Sequence, residues 1–205
     1  MEVKELILKH KDFLSDFGYK LDQKTFQYTK NFAHGKKIVF FHHTHNEDVS
    51  YIEYHVGIRY DIVELIVHQF LPSLGDYKER SITLLETLDG INPLLPKRKL
   101  INHESEVNQA ILESEEMLVS DGFKWLDKFA SGPELERYFN ESQDHTLISQ
   151  NFTYRSARGV TLCKLFNPDQ FEDVKNKYLT MLDEMQVTPF TLACFLNLLN
   201  YLKTL

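Results

Sequence analysis

Only two cysteines, Cys163 and Cys194, occur in 205 residues, and they lie too far apart for the Cys-x-x-Cys spacing of a zinc ribbon or a thiol–disulfide centre. Glycine (8) and proline (6) are sparse as well, which excludes collagen-like and low-complexity chains. The phosphate-cradling loops Gly-x-Gly-x-x-Gly and Gly-x4-Gly-Lys-Ser/Thr are missing, as are the Gly-x-Ser-x-Gly elbow and the His-Glu-x-x-His zinc helix. No apolar run reaches the roughly 20 residues that span a bilayer. The longest, Phe190 to Leu202, is interrupted by Asn197 and Asn200. Positive charge is in deficit, 23 Lys and Arg against 30 Asp and Glu for a net charge of -7, which opposes the broad basic footprint that a phosphate backbone requires. The opening Met1-Glu2-Val3-Lys4-Glu5 lacks the basic and apolar regions of a secretory signal. The expectation is a cytoplasmic chain with reduced thiols, acting without nucleic acid and without a membrane.

What is present is the composition of an ordered protein, 42% hydrophobic and 13% aromatic. Val3, Leu6, Ile7, Phe13, Leu14 and Phe17 recur at helical spacing before Gly18, predicting a helix over 2–17. Thr25 to Phe32 alternates as a strand, with a three-residue turn at Ala33-His34-Gly35. A second strand follows over Lys37 to His45, a polar turn at Asn46-Glu47-Asp48, and a third strand over Val49 to Tyr60. In that register Tyr28 faces Phe40, and Ile52, Tyr54, Val56 and Ile58 form the core face. Asp61 and Glu64 read as a capping pair for a helix up to Pro72. Ser81 to Leu88 alternates loosely as a candidate fourth strand. From Glu104 onward the period is helical, and Asn167-Pro168 and Thr188-Pro189 open the last two helices. The last of these is apolar around most of its circumference, as a helix buried on several sides should be. The fold class expected is α+β, an antiparallel sheet of three to five strands packed on helices. The sheet-containing half spans 1–103 and the helical half 104–205, packed as one globular unit.

Chemistry centres on the strands, which carry four of the nine histidines. Imidazole ligates transition metals, and the predicted register puts His43, His45, Glu53 and His55 on one face, a candidate metal site, with His42 turned the other way. The same face carries Val39, Phe41 and Tyr51, more apolar than a solvated sheet needs, and these form a candidate binding surface. Glu104, Glu106, Glu113, Glu115 and Glu116 make an acidic helix region that would suit a basic partner. Arg155, Arg158 and Lys97 to Lys99 are the positive clusters, expected in surface ion pairs. No catalytic residue is assigned.

The opening amphipathic helix, the Gly18-Tyr19-Lys20 turn, the aromatic strand Phe26 to Phe32 and the hairpin leading to Tyr51 to Tyr60 together resemble small uncharacterised bacterial domain-of-unknown-function proteins. Some of those accompany toxin systems as immunity-like binders, and the resemblance, over the first third of the chain, implies a soluble binding role and no particular site residue. The residues and the resemblance lead to one expectation, a non-catalytic binding or interaction module, immunity-like or regulatory, with a protein partner and no resident cofactor. Two alternatives stand beside it. One is a metal-dependent hydrolase using the histidine face, and the other a small-molecule binding protein with an aromatic cavity.

Overall fold

The helix predicted over 2–17 is two short helices, α1 (Val3–Lys9) and α2 (Lys11–Asp16), because His10 interrupts the run and turns its side chain fully inward. Gly18 takes the left-handed conformation expected of it, at φ +80. The computed structural model describes residues 3–46, 49–72, 75–101, 103–141 and 151–205. Strands β1 (Lys20–Asp22), β2 (Gln27–Phe32), β3 (Gly35–Asn46) and β4 (Val49–Tyr60) follow, then α3 (Asp61–Phe70) and α4 (Gly75–Arg80). Next come β5 (Leu84–Thr87), inside the predicted fourth strand, α5 (Leu88–Ile91) and β6 (Lys99–Ile101). The remainder is helical: α6 (Val107–Met117), a π-helical turn at Leu118–Gly122, α7 (Phe123–Phe129), α8 (Gly132–Asn140), α9 (Phe152–Phe166), α10 (Phe171–Glu184) and α11 (Pro189–Leu202). The protein is α+β, with an antiparallel sheet early in the chain and helices dominating the C-terminal half. No helix among the described residues is long and apolar enough to cross a membrane.

The six strands run β1-β2-β3-β4-β5, with β6 also paired to β4. β5 lies along His55 to Ile58 of β4 and β6 along Ser50 to Ile52, so the two share one edge of that strand in succession. The β2–β3 register differs from prediction by one residue: Phe32 pairs with Gly35 and Tyr28 with Val39, leaving a two-residue loop at Ala33-His34. The period of a strand is two, so this slip turns every β3 side chain to the opposite face. Phe41 then meets Tyr54, ring centroids 4.9 Å apart, while Phe40 stacks on His55 at 4.8 Å. The predicted turn at Asn46-Glu47-Asp48 falls largely outside the described residues.

Two compact units divide the chain, 1–59 with 84–128, and 60–83 with 129–205. They are interleaved rather than sequential, and the 103/104 boundary read from sequence falls inside the first. In the first unit, one sheet face is covered by α1, α2 and the α6 region. Tyr28 donates to the Ile7 carbonyl at 2.7 Å, and a Cβ on Gly122 would sit 3.6 Å from Val56. Phe17, Tyr19 and Phe123 form an aromatic cluster beside it.

In the second unit α9, rather than the last helix, is the one buried on several sides. Every residue from Arg155 to Cys163 is buried, and α9 packs with α3, α8, α10 and α11. A Cβ on Gly159 would come within 2.5 Å of the Tyr178 hydroxyl, so only glycine admits this approach. α11 buries one stripe, Phe195, Leu198, Leu199 and Leu202, and leaves Phe190 66% exposed. Glu64 is no cap. Its carboxylate points into the core and receives Arg158 Nε at 2.7 Å and Nη2 at 2.8 Å.

Candidate functional site

The register slip decides what the histidine strands can do. In β4, alternation sets Tyr51, Glu53 and His55 against Ile52, Tyr54 and Val56, and the latter three are buried as predicted. In β3 it sets His42 with Phe40 on the Glu53/His55 side. His42, Glu53 and His55 thus offer ligand atoms that all lie within 4.8 Å of one another. His43, expected in this group, follows Phe41 on the other face. His45 lies in β3, but its side chain is outside the described residues. Val39 is 0% and Phe41 7% exposed, both in the core, so they do not form a surface with Tyr51. Tyr51 instead lies under the Arg98 guanidinium, 5.9 Å from its ring centroid.

Around this cluster, Arg98 Nε donates to Glu53 Oε1 at 3.1 Å. The Phe40 ring lies 6° from parallel with that of His55 and fixes its orientation. Both ring nitrogens of His55 are sealed from solvent and have no hydrogen-bond partner among the described residues, and the same holds for Oδ1 of Asp89. Burial pulls the His55 pKa down, against the opposing fields of Glu53 and Asp89, so the ring is neutral at pH 7.

On the opposite face of the sheet lies a polar relay. His10 is fully buried between Glu115, at 2.9 Å from Nδ1, and the Tyr54 hydroxyl, at 3.1 Å from Nε2. Burial lowers the His10 pKa to about 4 and raises that of Glu115. Beside it a groove of about 380 Å³ opens to solvent, lined by Phe13, Leu112, Glu115, Glu116, Val119 and Ser120. Leu112 is 57% and Val119 42% exposed there, an apolar floor next to two carboxylates. Two of the acidic residues singled out in the sequence therefore border an apolar depression.

No family model, curated protein or solved structure matches this chain. The functional reading rests on geometry.

The positive clusters behave differently from expectation. Lys99 pairs with Glu113 and Arg98 with Glu53, as surface ion pairs should. Arg158 and Arg155 are only 1% and 2% exposed. Arg158 is consumed by Glu64, while Nε and Nη1 of Arg155 have no hydrogen-bond partner among the described residues. Sequence reasoning missed His10 because a lone histidine between two short helical runs carries no spacing signal. It misplaced His42 because both faces of β3 are apolar enough to serve as core.

Proposed function

We propose that this protein works by binding a partner, and that the groove of α2 and α6 receives a basic, amphipathic segment of a partner protein. The observation that carries the reading is the pairing of exposed Leu112 and Val119 with the Glu115 and Glu116 carboxylates in one open groove of about 380 Å³. An apolar floor supplies area-proportional affinity, and a carboxylate rim selects lysine- or arginine-bearing segments and speeds their encounter. A helix laid in such a groove is held by apolar residues at helical spacing, with basic residues flanking them. The net charge of -7 favours the same partner sign. This is the class of role, immunity-like or regulatory, that the opening pattern implies.

The test uses a labelled amphipathic peptide of leucine and lysine, and the same peptide with glutamate in place of lysine, titrated by fluorescence polarisation. The basic peptide should bind and weaken with salt, and Leu112→Asp should weaken it by tenfold or more, about 1.4 kcal/mol. Asp169→Lys, a charge change on the exposed turn before α10, should leave it alone. Equal binding by the Leu112→Asp variant, or occupancy of the groove by a small apolar compound with no peptide binding, would overturn the reading.

A further inference from the structure

We propose that His42, Glu53 and His55 form a binding site for a divalent transition-metal ion of the zinc class on the outer face of the sheet. The inference is independent of the groove, which lies on the other side of β4. Two imidazoles and a carboxylate are a ligand set that zinc accepts, with a fourth position left for water or a partner's side chain.

Three observations support it together. The three ligand atoms lie within 4.8 Å of one another. Tetrahedral ligands about 2.05 Å from zinc stand about 3.3 Å apart, so a closure of roughly 1.5 Å completes the site. The exposed His42 side chain is free to make that movement by a rotamer change, while His55 is held by the Phe40 stack. Both nitrogens of His55 are buried without a hydrogen-bond partner among the described residues, and an imidazole withdrawn from water in that way gains from a ligand bond what it lost in hydration. Finally, Glu53 is oriented by Arg98 through one oxygen, the outer contact that ligating carboxylates commonly carry.

The strand alternation makes the proposal specific. His42 and His43 are neighbours in sequence, and only one of them can face Glu53. Chelator-stripped protein dialysed against zinc should take up one ion per chain, and cobalt(II) in its place should give the visible absorption bands of a low-coordinate site. His42→Ala and His55→Phe should each weaken zinc by about 100-fold or more, and Glu53→Gln by about tenfold or more, whereas His43→Ala should bind as the parent does. His55→Phe keeps a ring against Phe40, and melting in chelator reports whether each variant is folded. His42 is exposed, so its replacement decides the matter even if the His55 variant does not fold. Unchanged zinc affinity in His42→Ala, equal loss in His43→Ala, or no stoichiometric zinc in the parent would overturn the proposal.

Discussion

The two units bury polar groups in opposite ways. In the first, His10, Glu115 and Tyr54 reach into the space beneath the sheet, and burial drives the histidine and the carboxylate towards their neutral forms. In the second, Glu64 and Arg158 stay fully charged in the core. Although desolvation pushes Glu64 upward, the Arg158 guanidinium, His68 and other hydrogen bonds hold its carboxyl well below the usual range, and Glu64 in turn raises Arg158. Thr83 donates to Glu64 Oε1 at 2.8 Å and accepts from the Tyr60 amide at 2.9 Å, so the pair is tied to the backbone. Neutral groups tolerate low dielectric with two or three hydrogen bonds, whereas ions need a bidentate partner and a completed shell. The first cluster therefore responds to protons as pH falls from about 6.5 towards 4, and the second responds to the loss of a partner.

Removing one ion should give the largest effect. Arg158→Met leaves a buried carboxylate uncompensated and should cost about 3–5 kcal/mol in urea unfolding, much of it recovered in the Arg158→Met/Glu64→Leu double variant. A small cost for the single change would show that Glu64 is already neutral, and the contrast between the units would disappear.

The pH dependence is next in size. The folded pKa of His10, about 4, lies below its ordinary 6.5, so the unfolded chain takes up the proton first. The stability this confers is complete above pH 6.5 and is lost as pH falls towards 4, up to about 3 kcal/mol in all. His55, also lowered, acts in the same direction. Glu115 is raised and so favours the fold as pH falls through its folded pKa, opposing part of the His10 loss. Glu64 is lowered, and its contribution is intact until pH falls below about 4.5. Amide protection factors, which divide out the slower intrinsic exchange at lower pH, should therefore fall between pH 7 and pH 5.5 in α1, α2 and β4, while those of α9 stay constant. An equal fall in both units would contradict the assignment.

Smaller still, Tyr54→Phe removes one hydrogen bond from His10 and should cost about 1 kcal/mol, read as a shift in the urea midpoint. As a baseline, Glu134→Gln, which breaks the exposed pair with Arg137, should leave the midpoint unchanged within error.

The legible parts of the fold were those in which pattern and chemistry agreed. Ile52, Tyr54, Val56 and Ile58 alternate cleanly, and they are the buried face of β4. Thr188 accepts from the Thr191 amide with Pro189 behind it, as the Thr-Pro pair predicts. β3 was ambiguous because Ile38/Phe40 and Val39/Phe41 are equally apolar, so only loop length could choose, and a two-residue loop in place of three exchanged His42 for His43. β1 and β6, three residues each, are too short for a period to show. Arg158 looked like a surface residue because its partner is 94 positions away, and no local spacing signals such a pair.

That separation has a consequence for how the chain is made. The first unit is complete once residue 128 has been synthesised, but its chain is interrupted by 60–83, a segment that belongs with residues not yet translated. Until Arg158 emerges, Glu64 has no counter-ion, and α3 cannot bury that carboxylate without leaving it unpaired in the interior. The unpaired carboxylate thereby holds the second unit's first helix open to water while the 94 positions up to its counter-ion are made.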